Sequence, residues 1–185
     1  MNALHTKASL AVWATMTAVF AVTTTARGDE PSREYQLKAA FIYNFAQFVI
    51  WPDGAMPSSD SPFVVGVVGQ DPFSHALEDT MDGKTIAGHP ISVKHLDSAD
   101  QVSGCQLVFV PATEDDRLDD IFKAVADRPI LTVGESNKFP DSGGTIRFFI
   151  EDSRIRFEIN LDSAARGGIR ISSKLCSLAR IYQKK

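Results

Sequence analysis

Three short runs are apolar on both faces of an extended strand: "FVVGVVG" at 63–69, "CQLVFVP" at 105–111 and "PILTVGE" at 129–135. A strand with one wet side alternates polar and apolar residues, and these do not. They predict central strands covered on both faces by helices, the environment in which parallel pairing is found. The intervening sequence supplies those helices. "DPFSHALEDTMDG" predicts a short helix ending near Gly83, and "TEDDRLDDIFKAVADR" at 113–128 predicts an amphipathic helix with acids in its first turns, where the helix dipole favours them. "HPISVKHL" at 89–96 alternates as a strand. The resulting β-α-β-β-α-β order predicts an α/β fold: a single-domain layered sheet, mostly parallel, flanked by helices. Further on, "TIRFFIE" and "RIRFEINL" alternate strictly on either side of "DS", which predicts an antiparallel C-terminal hairpin on one edge. "SKLCSLARIY" at 173–182 closes the chain as a predicted helix.

The chain has 185 residues, enough for one domain with a substantial core. Its first 28 residues differ in kind. A short polar start with one lysine, the uncharged "ASLAVWATMTAVFAV", and then "TTTARG" match the three regions of a secretory signal peptide. Cleavage after Gly28 or after Ala26 fits; an uncleaved anchor is the alternative, and the 15-residue apolar run is short for the ~20 residues of a bilayer span. Residues 29–185 are therefore expected as a mature domain in a bacterial periplasm. Net charge is −4, and cleavage removes Lys7 and Arg27 but no acid. With no Lys/Arg block, this balance argues against nucleic-acid binding.

"YQLKAAFIYNFAQFVIWP" follows the leader. It predicts a helix over 33–51, capped by Ser32 and stopped by Pro52. Leu37, Phe41, Phe45 and Phe48 form one stripe expected to lie on the sheet as core, with Lys38, Tyr43 and Gln47 facing outward as a candidate dimer or partner face.

Motifs for chemistry are incomplete. "GVVGQD" lacks the full dinucleotide fingerprint and any P-loop lysine, and "VGESNKF" has Lys138 where a nucleophile elbow needs glycine. His89 and His95 share a strand face at poor metal-ligand spacing, and His75 falls in a separate helix; no metal or cofactor site is read. Asp115, Asp116, Asp119 and Asp120 read as a solvated helix start. Enzymatic activity is not expected. Cys105 and Cys176 pack as small buried thiols or pair as a disulfide, which export permits. In the closing segment, Arg154, Arg156 and Glu158 share one strand face. Glu158, Arg166 and Arg170 are expected as a charged patch beside an exposed Ile169, a pattern suited to protein recognition.

"YQLKAAFIYNFAQFVIWP", "FVVGVVGQDPF" and "RIRFEINLDSAARGGIRISSKLCSLARI", in this order over nearly the whole mature chain, resemble the YfiR family. The resemblance implies a periplasmic α/β repressor without catalysis. Such a repressor binds the periplasmic sensor domain of an inner-membrane diguanylate cyclase and is sequestered by an outer-membrane peptidoglycan-binding lipoprotein. It thereby holds down cyclic-di-GMP and biofilm formation. It also implies partner contact by Glu158, Arg166 and Ile169, with Asn160 in a structural or contact role, and leaves a homodimer open. The chain departs from the family at its cysteines: only Cys105 stands where a redox-linked cysteine is expected, and Cys176 takes a place usually held by leucine. Two other classes stay open: a small-ligand binder using strand ends near Gly69–Asp71 and Pro111–Thr113, and a redox sensor using Cys105 and Cys176.

Overall fold

The opening helix α1, Arg33–Gln47, is capped by the Ser32 hydroxyl, which accepts from the Tyr35 amide, as predicted. Its core stripe is rotated from the expected one. Lys38, Ala39, Ile42, Phe45 and Ala46 are buried, whereas Leu37 is 49% exposed. Lys38, expected outward, is 4% exposed because its ammonium meets Glu34 one turn back and Glu135 beyond the sheet. The helix also ends early: Val49–Ile50 is a short strand, β1.

This computed structural model describes residues 32–184; the predicted signal peptide lies outside them. After β1 come β2 (Phe63–Val68), α2 (Ala76–Met81), β3 (Thr85–Ile86), β4 (His89–Leu96) and β5 (Leu107–Val110). A 3₁₀ turn, Ala112–Arg117, leads into α3 (Leu118–Val125), so the helix predicted over 113–128 is tight at its start and shorter at its end. Then follow β6 (Leu131–Gly134), β7 (Ile146–Glu151), β8 (Arg154–Ile159), α4 (Leu161–Arg166), β9 (Arg170–Ile171), α5 (Ser173–Cys176) and β10 (Arg180–Ile181). The predicted closing helix is thus a single turn followed by a strand.

Eight strands form one sheet in the order β10-β8-β7-β6-β5-β2-β4-β3. Pairing is parallel from β4 through β7 and between β8 and β10; only β3–β4 and β7–β8 are antiparallel. The fold class is the expected α/β layered sheet. The hairpin lies one strand in from the edge, because β10 adds beyond it. Its turn residues Asp152 and Ser153 both have positive φ, 50° and 58°, as a tight two-residue hairpin requires.

The continuous apolar runs divide by parity between two cores. Val65, Val67, Phe109 and Val133 face α1 and α2; Val64, Val68, Val108 and Val110 face α3. On the first side α1 reaches the hairpin through aromatic contacts: Phe45 lies 4.8 Å from Phe157 and 5.4 Å from Phe148, centroid to centroid. The first and last segments of the chain are therefore one packing unit. β1 pairs with β9 across the same unit.

Candidate protein-binding face

Strict alternation in β7 and β8 sends Phe148, Phe157 and Ile159 toward α1 and the intervening side chains to the opposite face. The register set by the Asp152–Ser153 turn places Arg147 opposite Glu158, Phe149 opposite Arg156 and Glu151 opposite Arg154. β10 then aligns Arg180 with Glu158. Arg147 Nε donates to Glu158 Oε1 at 2.6 Å, and its Nη1 donates to Asn137 Oδ1. The guanidinium carbons of Arg147 and Arg180 lie 5.3 and 4.4 Å from the Phe149 ring centroid, so cations flank the ring. Arg180 also pairs with Glu151, and the Tyr182 hydroxyl donates to Asp141, a bond that raises its pKa. Arg154 and Arg156 are exposed. On an acidic protein, this face carries more arginines than carboxylates.

The four residues expected at a partner contact are not gathered into one patch. Glu158 lies on this face but is only 6% exposed, held under Arg147. Asn160 is buried. Its Oδ1 accepts from the Ser163 amide at 3.1 Å, capping α4, and its Nδ2 donates to the Pro140 carbonyl at 3.0 Å. Ile169 is 1% exposed and sits in the core beside Ala164, so the expected exposed anchor is corrected: the turn after α4 folds it inward. Arg166 is exposed, donates to Ser163 Oγ at 2.8 Å, and lines a cavity of about 230 Å³ with Phe122, Arg128, Thr132 and Thr145. The exposed apolar side chains near the sheet edge are Ile150, Leu178 and Ile181.

The sequence reading missed Arg147, Phe149 and Arg180. The first two were legible in "TIRFFIE", because Arg147, Phe149 and Glu151 alternate onto the face shared by Arg154, Arg156 and Glu158. Arg180 was hidden by reading β10 as helix.

Among the other candidates, Cys105 and Cys176 are unpaired. Cys105 belongs to the core under α3, and burial pushes its thiol up to about 11; the helix of Cys176 anchors through Leu175 in the core on the opposite sheet face. The strand-end crevice near Gly69 is filled by the protein itself. Gly69 adopts φ +68°, and a Cβ there would lie 2.0 Å from a Glu114 carboxylate oxygen, whose other oxygen pairs with Arg117 at 2.8 Å. At the end of β6, Glu135 accepts from both Lys38 and the Tyr35 hydroxyl; burial first, and Glu135 second, hold the Tyr35 pKa far above its ordinary value. Among the described residues no helix is long and apolar enough to cross a membrane.

Among solved structures, the chain is similar to a conserved domain protein from Vibrio cholerae O1 biovar El Tor, at a TM-score of 0.53 and 10% identity. The match covers 80% of this chain and 60% of that one, and it carries the fold alone. Residues 35–180 match the family described as YfiR/HmsC-like, from the start of the aromatic helix to the first residue of β10. The chain belongs to the YfiR/HmsC-like family, whose members are periplasmic regulators, without catalytic function, of diguanylate cyclase pathways.

Proposed function

We propose that this chain is exported through cleavage of residues 1–28 and that residues 29–185 inhibit a membrane-bound diguanylate cyclase by binding its periplasmic sensor domain. The observation that carries this reading is the outward face of β7, β8 and β10, where Arg147 and Arg180 flank Phe149 and Arg154 and Arg156 stand exposed. An aromatic ring among arginines has the composition of an interface centre. Its excess of positive charge fits an acidic patch on the sensor. Binding there favours the inactive arrangement of the cyclase and lowers cyclic-di-GMP; an outer-membrane lipoprotein that captures the same face relieves the block.

The test is binding of the purified protein to the sensor domain of a cyclase from the same cell. Arg156→Glu is the informative variant, since Arg156 is exposed and has no ion pair among the described residues. Charge reversal is expected to weaken binding at least tenfold, about 1.4 kcal/mol, with the fold intact by circular dichroism. Unchanged binding removes this face from the proposal. Glu158→Lys is a poorer probe because it sets a second cation against Arg147 in a buried position. A second reading rests on the cavity beside Arg166: Arg128 and Arg166 line it against one carboxylate, Asp127, a net positive lining that suits a small anion. A ligand-dependent thermal shift that Arg166→Ala abolishes, without any sensor binding, favours that reading.

A further inference from the structure

Two strand ends and one helix converge beyond the parallel pair β2–β4. Register sets His95 beside Val67, near the exit of β2. Asp71 stands in the turn that follows, where its Oδ1 accepts from the Phe73 amide at 2.8 Å and its side chain is 15% exposed. Glu78 projects from α2. His95 Nε2 lies 3.4 Å from Glu78 Oε1, and His95 Nδ1 lies 4.0 Å from Asp71 Oδ2. One ligand atom from each of the three residues falls within 4.8 Å of the other two.

We propose that Asp71, Glu78 and His95 bind a divalent transition-metal ion of the zinc class. Three observations point there. The first is spacing. Metal bonds of about 2.0–2.1 Å at tetrahedral angles separate neighbouring ligand atoms by about 3.4 Å. With one imidazole nitrogen as ligand, the three ligand atoms here lie within 4.8 Å of one another, a span that side-chain rotation closes to that value. The second is charge. Among the described residues neither carboxylate has an ion pair with lysine or arginine; their only basic neighbour is an imidazole, which offers no positive charge when neutral. The third is an orphan: the Glu78 side chain is 40% exposed, but its Oε2 is turned away from solvent and accepts no hydrogen bond, an anionic oxygen that a bound cation would compensate.

The donor set selects the metal class. One imidazole nitrogen with two carboxylates suits zinc, manganese or cobalt, whereas calcium takes six or more oxygens. The His95 side chain is 52% exposed, so water completes the coordination. The ion ties β4 to α2 and to the β2 exit, all outside the β7–β8–β10 face. The site is therefore independent of partner binding there.

The test is calorimetric titration of the untagged protein with zinc chloride. One equivalent is expected to bind at micromolar affinity or tighter. His95→Ala and the near-isosteric Glu78→Gln should each weaken it at least about tenfold, while His75→Ala leaves it unchanged. His95 is half exposed and Glu78→Gln preserves shape, so the variants fold, as circular dichroism checks. No binding, binding that survives His95→Ala, or binding that His75→Ala abolishes overturns the proposal.

Discussion

Two clusters in this protein are built from the same parts, one base and two carboxylates, and do opposite things. At the end of β6, Lys38 lies buried between Glu34 and Glu135, with Tyr35 completing the set. Beyond β2 and β4, His95 stands half exposed between Asp71 and Glu78. An ammonium carries its charge at every physiological pH, so the first cluster is held together without help and contributes to the joint between α1 and the sheet. An imidazole carries charge only when protonated, so the second cluster has no permanent cation. Burial widens the contrast: the Lys38 side chain is 5% exposed, the His95 side chain 52%. One cluster is a fastening; the other is the proposed metal site.

The sharpest way to break the comparison is to remove the first base. Lys38→Met leaves Glu135 desolvated and without its cation, and is expected to cost about 3 kcal/mol in urea unfolding. Adding Glu135→Gln should recover part of that loss. Zinc gives the next largest effect. At a concentration one hundred times its dissociation constant it should add about 2.7 kcal/mol to stability, read as a raised melting temperature that His95→Ala abolishes. A neutral element calibrates the scale: Asn160→Ala removes the α4 cap and a donor to the Pro140 carbonyl, and should cost about 1–2 kcal/mol by the same urea titration. Smallest of all is His95→Ala without metal. Its loss should stay within about 0.5 kcal/mol, since pairs at an exposed site contribute little. A larger loss there would make His95 structural and erase the contrast.

The layered sheet was legible because its signals are local. Val64–Val68 and Leu107–Val110 are apolar at every position, and that pattern has few other solutions. The aromatic contacts of Phe41 and Phe45 were legible for the same reason. Lys38 was misplaced because periodicity ranks residues by polarity, and nothing near position 38 announces a carboxylate at 135. Ile169 was misread for the converse reason: its neighbours are small or charged, but the turn after α4 folds it beneath Ala164. The hairpin face was half legible, since alternation assigns side chains to faces while burial of Glu158 depends on which residue stands opposite. The histidine site was illegible. His95 lies 24 positions after Asp71, and only the parallel β2–β4 pairing brings them together.

The docking of α1 on the hairpin has a consequence in time. Phe45 emerges early in synthesis, yet Phe148 and Phe157, the rings that bury it, follow about a hundred residues later, so closing this contact is entropically slow. β1 waits equally long for β9. The architecture thus postpones its own completion until the last strands are delivered.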